Sequence, residues 1–225
     1  FQMPVNPDSP TIHEDIMIKS RSFEINYEKK AEVKKYDLQA GINIISFDFV
    51  PVPTTLGAYT VSELVENARK NGTNIEYVSY FDGGRWVEGY KCTAESCIGS
   101  NFAILPGKGY VLKTSKKGSF TVSAYNLKSA IPLNLSAGWN LIGVHGYSSA
   151  YTAKSLINSI NKVEGLTADN VSWYPTSKGR YEGLQVTEGV EYGFDFPINP
   201  MNGYFVRIKK FTPKDEACKS IIWHD

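Results

Sequence analysis

Ala40-Gly41-Ile42-Asn43-Ile44-Ile45 and Ala137-Gly138-Trp139-Asn140-Leu141-Ile142 are two versions of one hexapeptide in the same chain. The residues downstream of each copy repeat as well. Tyr59-Thr60-Val61-Ser62-Glu63-Leu64-Val65 returns as Tyr151-Thr152-Ala153-Lys154-Ser155-Leu156-Ile157. Val78-Ser79-Tyr80 returns as Val171-Ser172-Trp173, and Arg85-Trp86 as Arg180-Tyr181. Phe102, Ile104, Pro106, Gly109 and Tyr110 return, at one constant spacing, as Phe196, Ile198, Pro200, Gly203 and Tyr204. The blocks keep their order with small length changes between them, which chance similarity does not do. A repeat of this period is the signature of a duplicated structural unit.

Each block has a physical reading. Leu38 to Phe49 and Leu133 to Val144 read as paired strands around a tight Ala-Gly turn, where glycine allows a positive φ or a close backbone approach. Asn43 and Asn140 interrupt these apolar runs. A buried amide needs partners, so each is expected to tie a neighbouring loop to its strand. A helix follows in each copy. Thr60 with Glu63 makes a capping box, and Val61, Leu64, Val65 and Ala68 form one apolar stripe ending at Asn71-Gly72. In the second copy Thr152 caps, Ala153, Leu156, Ile157 and Ile160 form the stripe, and Gly165 lies past the end. Ile75 to Phe81 alternates, Asp82-Gly83-Gly84 is a hairpin turn, and Arg85 to Tyr90 is the return strand. Val171 to Tyr174, Ser177-Lys178-Gly179 and Arg180 to Leu184 are the equivalents. Ile104–Leu112 and Ile198–Val206 each place a Pro/Gly turn before a last strand.

Each copy therefore reads β-β-α-β-β-β-β. The expected fold class is α+β and mostly β: two tandem homologous modules, each a small antiparallel sheet or half-barrel with one short helix. The expected boundaries are 1–33 for an N-terminal linker and edge strand or hairpin, 34–128 for module 1, 129–213 for module 2 and 214–225 for a C-terminal tail. A unit this small buries about 60% of its unfolded surface, enough for one sheet with a helix on it. Within the first segment, Asp15 to Tyr27 alternates, as a strand or hairpin covering an edge of module 1 would.

Composition narrows the function classes. The chain has 225 residues, 42% of them hydrophobic and 21% charged, which is a globular balance. Fourteen Tyr, eleven Phe and four Trp favour pleated, half-buried surfaces. A formal net charge of +1 provides no field to hold nucleic acid. The longest apolar stretches, such as Ile42 to Pro53, are broken by Asn43, Ser46 and Asp48, so no span of the length a bilayer needs is present. The Pro-rich opening from Phe1 is the composition of a linker, and the chain is expected to be a piece of a longer one.

Cys92 and Cys97 enclose four residues, without the second ligand pair that a zinc knuckle requires. They read as a disulfide at a hairpin tip, worth about 2 kcal/mol in the chain-entropy model, and then imply an oxidising compartment. The alternative is two exposed thiols in a reducing one. The pair has no counterpart in the second copy and reads as trimming a local insertion. Cys218 reads as a buried small hydrophobe.

The order Ala-Gly-Trp139-Asn-Leu-Ile, a capped helix, a Tyr/Trp strand with a Gly turn, and then Pro-x-x-Gly-Tyr-x-Val resembles a known repeat. It is similar to the tandem "Gly-Trp-Asn-Leu … Gly-Lys-Gly-Tyr" modules of secreted or envelope-anchored prokaryotic surface proteins. The resemblance covers roughly residues 34–210. The first copy departs from it at Ile42, and the second has Met201-Asn202-Gly203 in the later turn. The resemblance implies a secreted or cell-surface location and neighbouring domains in a longer chain. It transfers no binding residue.

Residues arranged for chemistry are few. His13, His145 and His224 have no ligand-spaced neighbours, no Gly-x-Ser-x-Gly exists, and Leu105-Pro106-Gly107-Lys108-Gly109 lacks the spacing of a phosphate loop. No catalytic, metal or cofactor site is expected. The recurrent feature is aromatic: Tyr80, Arg85 and Trp86 in one copy, and Trp173, Arg180 and Tyr181 in the other, surround hairpin turns. Such rings stack on sugars or seat a protein partner; the alternative is that alternate rings are core and the rest ordinary strand surface. The expected function is a non-catalytic extracellular or cell-surface module, serving adhesion, spacing or assembly, with protein or glycan partners and no membrane insertion. The alternative is an accessory carbohydrate-binding module of a secreted enzyme.

Overall fold

Period-two alternation of apolar and polar residues makes strands of most of the chain. The computed structural model describes residues 11–12, 25–54, 57–87, 89–128, 133–145, 150–211 and 220–221. In order these hold β1 (Thr11–Ile12), β2 (Ile25–Leu38), β3 (Gly41–Ser46), β4 (Phe49–Pro51), α1 (Val61–Lys70), β5 (Ile75–Asp82), β6 (Arg85–Trp86), β7 (Tyr90–Cys92), β8 (Cys97–Gly99), β9 (Gly109–Thr114) and β10 (Gly118–Leu127). After these come β11 (Leu133–Asn134), β12 (Gly138–Gly143), α2 (Ala153–Asn161), β13 (Leu166–Trp173), β14 (Glu182–Thr187), β15 (Val190–Gly193), β16 (Gly203–Phe211) and β17 (Ser220–Ile221). The protein is mostly β, with several antiparallel sheets and two short helices.

One large sheet has the order β3-β9-β5-β7-β8, with β6 on β5; another has the order β12-β16-β13-β14-β15. A third runs β1-β2-β10-β4, and β11 pairs with β17. The two large sheets share a defect. The register of β5 on β9 slips between Ile75 and Tyr77, and that of β13 on β16 between Ala168 and Asn170. The extra residues are Glu76 and Asp169, and each forms an ion pair with the neighbouring strand. Lys113 lies 3.3 Å from Glu76, and Arg207 grips both carboxylate oxygens of Asp169 at 2.7 and 2.9 Å.

Each helix buries its stripe: α1 packs between β10 of the third sheet and β5 of the first, and α2 packs on β13 and β14 of the second. Val61, Leu64, Val65 and Ala68 are buried in a core with Tyr36, Phe47, Phe49, Tyr110 and Phe120. Ala153, Leu156, Ile157 and Ile160 are buried with Val171, Leu184, Phe196 and Tyr204. The capping residues act as expected. Glu63 accepts from the Thr60 amide at 2.9 Å and the Thr54 amide at 2.8 Å, and Thr152 Oγ1 accepts from the Ser155 amide at 3.2 Å. Burial opposes ionisation of Glu63, but the hydrogen bonds from Thr54 and Thr60 outweigh it and leave its pKa below the ordinary value.

The Asn expectation also holds. Asn43 accepts from the Gln39 amide at 2.9 Å and donates to the Gln39 carbonyl at 2.8 Å. Asn140 does the same with Ser136, at 2.8 and 2.9 Å. The strands flanking these turns, however, are not paired with each other as expected. β2 pairs with β10 and β3 with β9, while β11 pairs with β17 and β12 with β16. The side-chain amide takes the hydrogen-bonding groups that a hairpin would use, so the chain turns a corner from one sheet into another.

Two further expectations change. The return strand Arg85 to Tyr90 divides into β6 and β7. The cysteine hairpin β7–β8 is not a local insertion, because β14–β15 occupies the same place in the second sheet, with Val186 opposite Glu191 where the first has Cys92 opposite Cys97. Cys92 and Cys97 are bonded, with Cα atoms 4.1 Å apart. β2 runs unbroken across the expected boundary at 33/34. Most of the alternating run Asp15–Tyr27 and most of the expected tail, Cys218 included, lie outside the described residues, but Ser220–Ile221 of that tail forms β17 and pairs with β11 at the start of the second half.

The two large sheets meet through Ile44 and Val111 of the first and Leu141 and Phe205 of the second. Ser46 N donates to the Met201 carbonyl and Gly143 N to the Gly107 carbonyl, each at 2.8 Å. Gly109 and Gly203 allow this approach. A Cβ on Gly109 would lie 2.6 Å from Leu141 Cγ, and one on Gly203 would lie 2.8 Å from Ile44 Cγ2.

Leu64→Ala and Leu156→Ala should each cost about 2–5 kcal/mol in urea unfolding, as truncations of fully buried side chains; a cost near zero would place the stripes in solvent. Glu63→Gln should destabilise at neutral pH. Because its folded pKa is depressed, the stabilisation by Glu63 is present above the unfolded carboxylate value and is lost as pH falls through the folded one. The difference between wild type and variant should therefore shrink on acidification, as read by urea midpoints across that range.

Candidate functional site

Strand alternation decides which rings face outward. Tyr80 turns inward, with its centroid 4.8 Å from Phe102 and 6.1 Å from Tyr110, and Lys108 Nζ lies 4.9 Å from that ring. Trp173 turns inward to stack on Phe196 at 5.8 Å. These two rings belong to the margins of the cores. Their neighbours Phe81 and Tyr174 face the other way, toward the contact between the sheets.

There the outward rings gather on Phe205, which is 9% exposed. Phe81 lies 6.2 Å from it, Trp86 6.1 Å, Tyr181 5.8 Å and Trp139 6.4 Å, all edge-to-face. Phe81 also packs on Trp86 at 5.2 Å, and Tyr174 on Tyr181 at 5.1 Å. Phe205 is held from below by Ile44, Val111 and Leu141. The rings above it remain open: Trp86 is 51% exposed, Tyr181 55% and Trp139 38%. Trp86, on β6 of the first large sheet, and Tyr181, immediately before β14 of the second, thus share one ring as a common neighbour. T-shaped contacts of this kind stabilise by about 0.5–1.5 kcal/mol each beyond burial.

The arginines are placed differently from the expectation. Arg85 pairs across the hairpin with Asp82, and Arg180 lies 4.0 Å from Glu182, which Lys178 already holds at 2.7 Å. Neither stacks on a ring among the described residues. The arginine that does is Arg207, 5.7 Å from the Trp139 centroid and locked by Asp169. Burial and the neighbouring Tyr174 raise the Tyr181 pKa, so its phenol meets a ligand uncharged.

Sequence reasoning misses Trp139, Phe205 and Arg207 as site residues. Trp139 belongs to the repeated hexapeptide, which gives it the look of a structural residue. The usable signal is its difference from Ile42: a strand position that is aliphatic in one copy and a large aromatic in the other. Phe205 stands likewise where the first copy has Val111.

The cluster offers apolar ring faces and hydroxyl and indole hydrogen bonds, with no acid–base pair among its members. Among the described residues, no group of three His, Cys, Asp or Glu side chains is placed to hold a metal, and no helix is long and apolar enough to cross a membrane. A depression of about 410 Å³ with a mixed polar and apolar lining lies elsewhere, between α1 and the β7–β8 hairpin, and includes Glu63, Val65, Glu66, Asn67, Arg69 and Tyr90. No protein-family model, curated protein or solved structure matches this chain.

Phe205→Ala should cost about 3–5 kcal/mol, because it empties the contact between the sheets. The double variant Trp86→Ala/Tyr181→Ala should keep its thermal midpoint within a few degrees, because those rings are half open to solvent. A large loss in the double variant would mean that they hold the fold rather than cover it.

Proposed function

We propose that this chain is a non-catalytic recognition segment of a larger prokaryotic surface protein, built from two homologous units and serving adhesion or assembly. The observation that carries the reading is the ring cluster on Phe205. Exposed Trp and Tyr side chains seated on a buried aromatic, with an arginine stacked beside them, have the composition of binding hot spots. The rings are held before any ligand arrives, so binding does not have to order them.

Several features support the duplication. The two large sheets are connected in the same order and carry a bulge at matching positions. Corner-forming Asn43 and Asn140 match as well, as do the hydrogen bonds from Ser46 and Gly143 across the contact. The Cys92–Cys97 bond supports an oxidising, extracellular location. A second reading, an accessory carbohydrate-binding module of a secreted enzyme, has in its favour the amide-bearing row of side chains across the second large sheet.

Retention of the fluorescently labelled full chain on prokaryotic envelope preparations tests the proposal. Wild type should be retained. Trp86→Ala/Tyr181→Ala should lose at least about tenfold of that retention, the loss expected when hot-spot aromatics are removed. Equal retention of the two proteins would sink the cluster as contact surface. No retention of wild type would leave a spacer in place of a recognition segment.

A further inference from the structure

Beyond the ring cluster, the face of the second large sheet turned away from α2 carries a continuous row of side chains, one from each strand. Trp139 on β12 stands opposite Arg207 on β16, Arg207 opposite Asn170 on β13, Asn170 opposite Gln185 on β14, and Gln185 opposite Tyr192 on β15. Directly opposed residues in an antiparallel sheet project from the same face. The row ends in two exposed aromatic rings, since Tyr192 is 58% exposed and Trp139 is the half-open ring of the cluster. At about 4.8 Å per strand, the two ends lie roughly 19 Å apart.

The middle of the row is polar without being charged overall. The guanidinium of Arg207 is neutralised by the two-pronged contact with Asp169. Asn170 Oδ1 accepts from Ser172 Oγ at 2.7 Å, and Gln185 Nε2 donates to Thr187 Oγ1 at 3.0 Å. The amide nitrogen of Asn170 and the amide oxygen of Gln185 carry no hydrogen bond among the described residues, so the row presents amide N–H donors at Asn170 and a carbonyl acceptor at Gln185. The corresponding row of the first large sheet is Ile42, Lys113, Tyr77, Lys91 and Ile98. That row has two lysines and aliphatic ends, so the aromatic-amide pattern belongs to the second sheet alone.

We infer that this row binds an uncharged, extended oligosaccharide lying across the strands, with a sugar ring stacked on Trp139, another on Tyr192, and hydroxyls on Asn170 and Gln185 between them. The inference rests on the reading of the chain as a recognition segment and names a ligand class for it. Charge complementarity selects a neutral glycan over an anionic one, because the one cation in the row already has its counter-ion. Flat apolar ring faces with amides between them match the apolar faces and hydroxyl edges of a sugar chain.

The test is affinity electrophoresis of the full chain through gels containing xylan, galactomannan, soluble β-glucan or, as the anionic comparison, alginate. At least one neutral polysaccharide should retard the wild type. Trp139→Ala and Tyr192→Ala should each weaken that retardation by at least about tenfold, and Gln185→Ala by less. Lys91→Ala and Ile98→Ala, in the corresponding row of the first sheet, should leave it unchanged. Trp86→Ala/Tyr181→Ala should keep glycan retardation even where envelope retention is lost, which separates the two readings. Three outcomes overturn the inference: no retardation by any neutral polysaccharide, retardation by alginate alone, or retardation that survives in Trp139→Ala and Tyr192→Ala.

Discussion

Where the two large sheets meet, there is room for backbone and little else. Gly109 passes Leu141, Gly203 passes Ile44, and Gly143 faces Ser46 at a distance that leaves no space for a methyl group. Ser46 and Gly143 can then donate across the contact to the Met201 and Gly107 carbonyls. Ile44, Val111, Leu141 and Phe205 are excluded from water together. Burying an aliphatic or phenyl side chain stabilises by about 1.5–3 kcal/mol. The contact is therefore held by a handful of side chains, and its geometry depends on the glycines that let them touch.

The exposed chemistry follows from this contact. Phe205 is an outward residue of β16, and alone it would be a solvent-facing phenyl group. Because the first sheet covers its base, it becomes a fixed floor on which Phe81, Trp86, Trp139 and Tyr181 rest by their edges. The rings come from both sheets, so neither sheet alone carries the surface. Farther from the contact, on the outward face of the second sheet, Asn170, Gln185 and Tyr192 stand in register.

The two large sheets and their helices are most alike at inward positions and differ at outward ones. Inward positions match in kind: Leu64 with Leu156, Val78 with Val171, Tyr110 with Tyr204. Outward positions do not: Ile42 against Trp139, Val111 against Phe205, Lys91 against Gln185. Packing restricts the volume and polarity of an inward residue, whereas an outward one is limited mainly by what it contacts. The changes concentrate aromatic and amide groups on one sheet.

Much of the local structure was legible in the sequence because it depends on neighbours in the chain. The capped helices, the hairpin at Gly83-Gly84, the buried stripes, the cysteine bridge and the amide ties of Asn43 and Asn140 all involve residues close in sequence or a simple period. Strand pairing was less legible. That β2 seeks β10 while β3 seeks β9 is decided by partners far along the chain, and an Ala-Gly turn looks the same whether its strands pair or part. The alternation of Tyr80-Phe81 and Trp173-Tyr174 showed that one ring of each pair faces out, but not which one. The sequence alone determined the two capped helices, the β-rich class and the candidate rings Trp86 and Tyr181. Only the tertiary structure decided that these rings converge on Phe205, because that requires two sheets to approach to backbone contact, and no local pattern encodes the distance between surfaces.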